Sequence, residues 1–485
     1  MINDIVSFIN DLLWNRGLSV LWETEGNQSS FYVPILALML VCAGIWFTIR
    51  LGFLQFRHFG HMFSIMKNST KSDASGISSF QALCTSLSAR VGTGNLAGVA
   101  VAISLGGSGS IFWMWMIALL GMATGFAESV LGQLYKVRDI NGEFRGGPAY
   151  YIQQGLNKRW LAVLFSLFLF LGYGFIFSAV QANTITDALN HAYEIPTHYS
   201  GLIIILMAGM IVVGGLRAIA RFAEWIVPFM AITYVLVTLG ITIANFDLVP
   251  AMLADIISSA FGLNEAAAGA LGAAIKNGIQ RGLYSNEAGS GSVPHAAAGA
   301  SPNPNHPVSQ GYVQMLGVFI DTMILCTCTA VVILLAGGSS SEQMEGIRLT
   351  QDAMGSHLGE FGGDFVAAAI SLFAFTSVVA NYAYGESNLH MFKLDNKVGR
   401  WVYTAGYLLM IFWGSMASLP KVWAMADMAL GLMTFINIIA IVMMTPTIVA
   451  ISQDYFEKRK RGQEPEYVNG DCDIQGETEK GIWGK

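Results

Sequence analysis

Apolar stretches long enough to cross a bilayer recur along almost the whole chain, separated by short polar turns. A helix needs about 20 apolar residues to traverse a ~30 Å hydrocarbon layer. That criterion predicts spans at 31–54, 77–105, 109–134, 160–183, 199–217, 221–245, 268–294, 308–337, 362–388, 400–418 and 423–452. The expected architecture is an all-α polytopic membrane protein of about eleven helices. Ahead of the first span, Ile2, Ile5, Val6, Ile9, Leu12 and Leu13 recur at helical spacing, which predicts an interfacial helix within residues 1–30. The segment 453–485 is polar, mixed in charge and contains Pro465 and several glycines, so a solvated tail is expected there.

Composition narrows the function. Of the 485 residues, 54% are hydrophobic and 12% charged. A soluble enzyme needs more polar surface than that. A net charge of -6 offers no basic footprint for nucleic acid. The chain has no HExxH, no GxSxG and no zinc spacing among Cys42, Cys84, Cys326, Cys328 and Cys472, so neither an enzyme nor a cofactor is expected. Loop charges orient the spans: with the N-terminus outside, seventeen Lys and Arg fall on one side and three (Arg16, Arg348, Lys421) on the other. That bias predicts an outer N-terminus and a cytoplasmic C-terminus.

Two spans are interrupted. The second contains VGTGN (Val91 to Asn95), and the seventh contains SNEAGSG (Ser285 to Gly291) followed by Pro294. Glycine costs about 1 kcal/mol relative to Ala inside a helix, so paired glycines argue for unwound backbone. At membrane depth such backbone is tolerated only where it is buried in protein or lines a cavity. The breaks also match one another: Arg90, Asn95, Ala97 and Gly98 recur as Arg281, Asn286, Ala288 and Gly289, 191 positions later. Each break heads a block of five spans, 77–245 and 268–452. Because five is odd, the second block enters from the opposite side, the pattern of an inverted repeat in a secondary transporter. Half-helix N-termini at the breaks favour an anion, and freed carbonyls suit Na⁺. A zwitterionic amino acid with a sodium ion fits this polarity. Gly92, Thr93, Gly94, Asn95, Ser285 and Asn286 are therefore the candidate substrate residues, although Asn95 and Asn286 also suit plain helix caps. Arg90, Arg281 and Glu287 are costly at depth and are expected to form structural ion pairs holding the breaks together. Asp321, Glu128 and Glu386 are further pairs or a proton path. GTGNLA also fits a loose dinucleotide fingerprint, but it lies within a span and has no preceding strand.

The stretches SARVGTGNLAGVA (Ser88 to Ala100), GGSGSIFWMWMIALLG (Gly106 to Gly121), GGPAYYIQQGL (Gly146 to Leu156) and SNEAGSGSVPHAAA (Ser285 to Ala298) resemble the alanine or glycine:cation symporter family. The resemblance runs from about Ile35 to Ile451. It implies the fold of the bacterial leucine transporter, with residues 31–54 as an extra helix before a ten-helix core. It also implies Na⁺-coupled, sometimes H⁺-coupled, uptake of alanine or glycine across a bacterial inner membrane. By resemblance FTSVVA (Phe375 to Ala380) is a sodium-binding stretch, so Thr376 and Ser377 would meet carbonyls near Ser88 and Val91 around one Na⁺. Asn95 would serve a second cation or the substrate, and Gln181 and Asn183 of VQANT would face the substrate. From the residues alone, Thr376 and Ser377 equally suit back-bonding to their own helix.

Overall fold

The structure, a computed structural model, describes residues 2–24, 27–70, 76–139, 142–262, 268–338 and 346–484. Six of its helices are long and apolar enough to cross a membrane: Gly109–Leu134, Arg159–Tyr193, Gly215–Ala244, Pro307–Leu335, Glu360–Ser387 and Leu419–Met443. Shorter apolar helices stand at Ile35–Arg50, Gly94–Gly106 and Thr197–Val212. Further helices occupy Ser79–Arg90, Ala268–Asn286 and Lys397–Met416. The Gly215–Ala244 helix turns residues such as Trp225, Phe229 and Ile232 outward, whereas Gly109–Leu134 is buried along most of its length. The apolar exterior is what a lipid solvent permits.

Both glycine-marked interruptions are real breaks. Ser79–Arg90 starts with a capping box in which Ser78 and Gln81 exchange hydrogen bonds of 3.1 Å, and it stops at Arg90. The chain resumes as helix at Gly94. The second break follows Ala268–Asn286, so the predicted span 268–294 is cut short at Asn286. Glu287, Gly289 and Gly291 then adopt φ of 57°, 88° and 86° before Val293–Ala298 turns helical again. Glu287 is the one without a glycine's freedom there, and a non-glycine residue in that region is strained.

Other boundaries shift for identifiable reasons. Residues 17–24 and 27–34 pair as antiparallel strands, Gly17 with Pro34 and Thr24 with Asn27, so the first apolar helix begins at Ile35, not at 31. The fourth predicted span runs on past 183 to Tyr193. The last one ends at Met443, where Pro446 opens a new helix, Thr445–Lys460. Wide π turns interrupt two long helices, at Gly172–Ile176 and Phe319–Cys326. Such turns commonly mark functional sites, because they free backbone groups.

Most of the C-terminal segment is exposed, as its composition suggests, but two aromatics anchor it to the helices. Tyr467 and Trp483 are each only 1% exposed. The indole of Trp483 donates to Leu134 O at 2.9 Å, Tyr467 N donates to Asn305 O at 3.0 Å, and Lys136 Nζ lies 4.8 Å from the Trp483 ring. Buried aromatics outweigh the polarity of the residues around them.

Candidate functional site

The two breaks touch. A Cβ added at Gly94 would lie 3.0 Å from the Cα of Ser285, so the backbones meet with nothing between them. Asp321 joins the breaks from the π turn of the Pro307–Leu335 helix. Its Oδ1 accepts from Asn95 Nδ2 at 2.8 Å, and its Oδ2 accepts from Ser285 Oγ at 2.6 Å. Its carbonyl accepts a second bond from Asn95, at 3.2 Å. Asn95 also caps its own turn, accepting from Gly92 N at 3.1 Å. Asn286 does the same locally, accepting from Ala288 N at 3.0 Å, while its Nδ2 is buried with no partner.

Beside the first break, four of the residues assigned to sodium converge. Ser377 Oγ is 2.8 Å from Ser88 O and 3.4 Å from Val91 O, and Ser88 Oγ donates to Thr376 O at 2.8 Å. Thr376 Oγ1 bonds Phe373 O within its own helix at 2.8 Å, the back-bonding alternative. The group combines hydroxyl and carbonyl oxygens with no net charge, a donor set suited to a hard monovalent cation. Gly92 is tightly enclosed: an added Cβ would lie 2.3 Å from Ser377 Oγ and 2.7 Å from Gln181 Oε1. Gln181 is in turn fixed by Thr93, whose N and Oγ1 donate to its Oε1 at 2.9 and 2.6 Å. Asn183 lies elsewhere. It donates to Gly414 O and Ala417 O at 2.9 and 2.7 Å, fastening the end of the Lys397–Met416 helix.

A narrow cavity lies against both breaks, faced by Arg90, Gln181, Tyr284, Glu287 and Asn381. In this conformation it has about 10 Å³ open to a water-sized sphere, room for a single water. Among the described residues, four buried polar atoms of its lining have no hydrogen-bond partner: Arg90 Nε and Nη2, Tyr284 OH and Asn381 Oδ1. Buried polar groups are nearly always satisfied, so orphans around a cavity are donors and acceptors in want of a ligand.

The ion pairing differs from the sequence expectation. Arg281 pairs with Asp427 at 2.6 Å and stacks over Trp423 at 4.5 Å, tying the helix that precedes the second break to the Leu419–Met443 helix. Among the described residues, neither Arg90 nor Glu287 has a salt-bridge partner within 4.0 Å. Arg90 Nη1 reaches Gln314 O at 3.4 Å, and Glu287 Oε2 accepts from Ser292 Oγ at 2.7 Å. Glu128 holds the second break: its carboxylate accepts from Gly289 N and Gly291 N at 3.0 and 3.1 Å and from Asn437 Nδ2 at 2.8 Å. Glu386 lies apart, 3.6 Å from Arg400. Sequence reasoning missed Asp427 and Asn437. Asp427 was detectable, because an acid inside an apolar span calls for a partner.

Comparison with known proteins agrees with this architecture. The chain is similar to MhsT, solved in complex with L-phenylalanine, with a TM-score of 0.56 at 15% identity, covering 75% of this chain and 88% of that one. It is 45% identical over 467 residues to the uncharacterized transporter YaaJ of Escherichia coli, covering 95% of this chain and 94% of YaaJ. It is 42% identical to the probable sodium/glutamine symporter GlnT of Bacillus subtilis, covering 96% and 93%. The model described as the sodium:alanine symporter family matches residues 20–469. Two unwound helices joined by a buried acid agree with that match, and the chain belongs to the sodium:alanine symporter family.

Proposed function

We propose that this multi-pass membrane protein takes up alanine or glycine with Na⁺ by alternating access. The observation that carries the reading is the cavity against the two breaks. Its lining includes both the guanidinium of Arg90, with Nε and Nη2 unpartnered among the described residues, and Glu287. A cationic and an acidic side chain lining one cavity complement a small zwitterion. Thr93, Gly94, Gln181, Ser285 and Asn286 complete the substrate shell, and Ser88, Val91, Thr376 and Ser377 hold the ion. In this reading eleven spans, with the N-terminus outside, form two inverted blocks that rock around the breaks.

The driving force is sufficient. A 100 mV potential contributes about 2.3 kcal/mol per charge, and a tenfold Na⁺ gradient adds about 1.4. Together, ~3.7 kcal/mol sustains roughly 500-fold accumulation at one Na⁺ per substrate. The relative named for glutamine suggests a second substrate, which competition against alanine separates.

The test is labelled alanine uptake into proteoliposomes, with an inward Na⁺ gradient or with K⁺ in its place. Uphill accumulation that needs Na⁺ and is competed by glycine more strongly than by glutamine is the expected result. Accumulation that persists in K⁺ and collapses with a pH gradient makes the ion a proton. No alanine flux under any gradient overturns the substrate.

A further inference from the structure

Away from the breaks, a groove of about 590 Å³ opens where the Ile35–Arg50 helix meets Thr445–Lys460. Arg50, Arg57, Arg459 and Lys460 line it, with no carboxylate among the lining residues. Among the described residues, none of the four has a salt bridge to an acid. Arg50 instead lies 5.4 Å from the Trp46 ring, and Arg57 Nη1 donates to Gly52 O at 3.2 Å. The floor adds Ser452, which is 1% exposed, with its hydroxyl lacking any partner. Four exposed like charges lining one groove, with an unsatisfied hydroxyl among its lining, raise the local positive potential and favour an anion there. The groove's surroundings identify the kind of anion. Arg50 closes an apolar helix, which puts the groove at headgroup depth, and Ile45, Ile49, Phe53 and Phe56 beside it are each exposed.

We propose that this groove seats the phosphate of an anionic glycerophospholipid. The four cations surround the phosphodiester and Ser452 donates to one of its oxygens. The acyl chains lie along Ile45, Ile49, Phe53 and Phe56. The lipid thereby fastens the Ile35–Arg50 helix to the Thr445–Lys460 helix. This rests on the chain spanning a membrane and is independent of what it carries.

Thermal unfolding of the full-length protein in detergent tests the site. The probes are dioleoylphosphatidylglycerol, dioleoylphosphatidylcholine and inorganic phosphate. Phosphatidylglycerol is expected to raise the melting temperature at roughly tenfold lower concentration than phosphatidylcholine, with the advantage fading as salt rises. The triple variant Arg50→Gln, Arg459→Gln, Lys460→Gln is expected to lose that advantage. Equal shifts from the two lipids, or an undiminished advantage in the variant, overturn the proposal. Phosphate alone reproducing the shift also overturns it, in favour of a soluble anion. Should the triple variant fail to fold, quenching of Trp46 in the wild-type protein, with Trp46→Phe as background, decides. Brominated-chain phosphatidylglycerol must quench more than brominated phosphatidylcholine, and equal quenching overturns the site.

Discussion

Single atoms decide whether the two breaks can meet. Gly92 has no room for a methyl group, since a Cβ would collide with Ser377 Oγ and Gln181 Oε1. Gly92→Ala is therefore expected to abolish Na⁺-driven uptake while the protein still inserts and purifies as a monodisperse species; near-normal uptake would mean that the first break yields around a methyl group. Asp321 holds the second kind of contact. Its carboxylate accepts from both breaks at once, and an amide at this position would turn one acceptor into a donor facing Asn95 Nδ2 or the Ser285 hydroxyl. Charge-assisted hydrogen bonds contribute about 1.5–3 kcal/mol each. Asp321→Asn is expected to cut uptake about tenfold or more, as initial rates in proteoliposomes would register, with Ser285→Ala milder because Asn95 keeps its bond.

Helices carry these side chains, and their positions are only partly readable from sequence. The breaks are legible because paired glycines in an apolar run disfavour continuous helix, as Val91 to Asn95 and Ser285 to Gly291 illustrate. The acid that fastens the second break cannot be matched to its partner that way, because Glu128 is 161 positions from Gly289 and nothing in local spacing connects them. The π turn that frees Asp321 O has no sequence period of its own. The strand pair 17–24 and 27–34 escapes a search for spans since its strands are short and merge into apolar sequence. The Arg281–Asp427 pair tests the element level directly. Breaking a buried pair by removing one partner costs about 3–5 kcal/mol, whereas replacing both by apolar residues is often neutral. Arg281→Met should lower the melting temperature markedly, and Arg281→Met with Asp427→Leu should recover most of the loss. A double variant no more stable than the single one would assign the pair no structural role.

Taken as a whole, the molecule is held at one face by its own C-terminal segment. Trp483 plugs against the end of the Gly109–Leu134 helix, and Tyr467 against the turn at Asn305. The composition of that segment points to solvent, since two aromatics in a polar stretch leave no periodic signal. Trp483→Ala is expected to cost about 3–5 kcal/mol, the usual loss for a buried aromatic, measured as a drop in melting temperature; an unchanged melting curve would mean the segment rests on the surface without contributing. The closed cavity has a consequence of another kind. With no ligand, the closed cavity has room for about one water, too few to satisfy every orphaned atom of Arg90, Tyr284 and Asn381, and each left unsatisfied costs about 1–3 kcal/mol. A loaded carrier satisfies them and crosses through closure easily, whereas an empty one meets that penalty on its way back. Exchange of labelled for unlabelled alanine across the membrane should therefore outpace net uptake, and the sodium gradient should leak little when no amino acid is present.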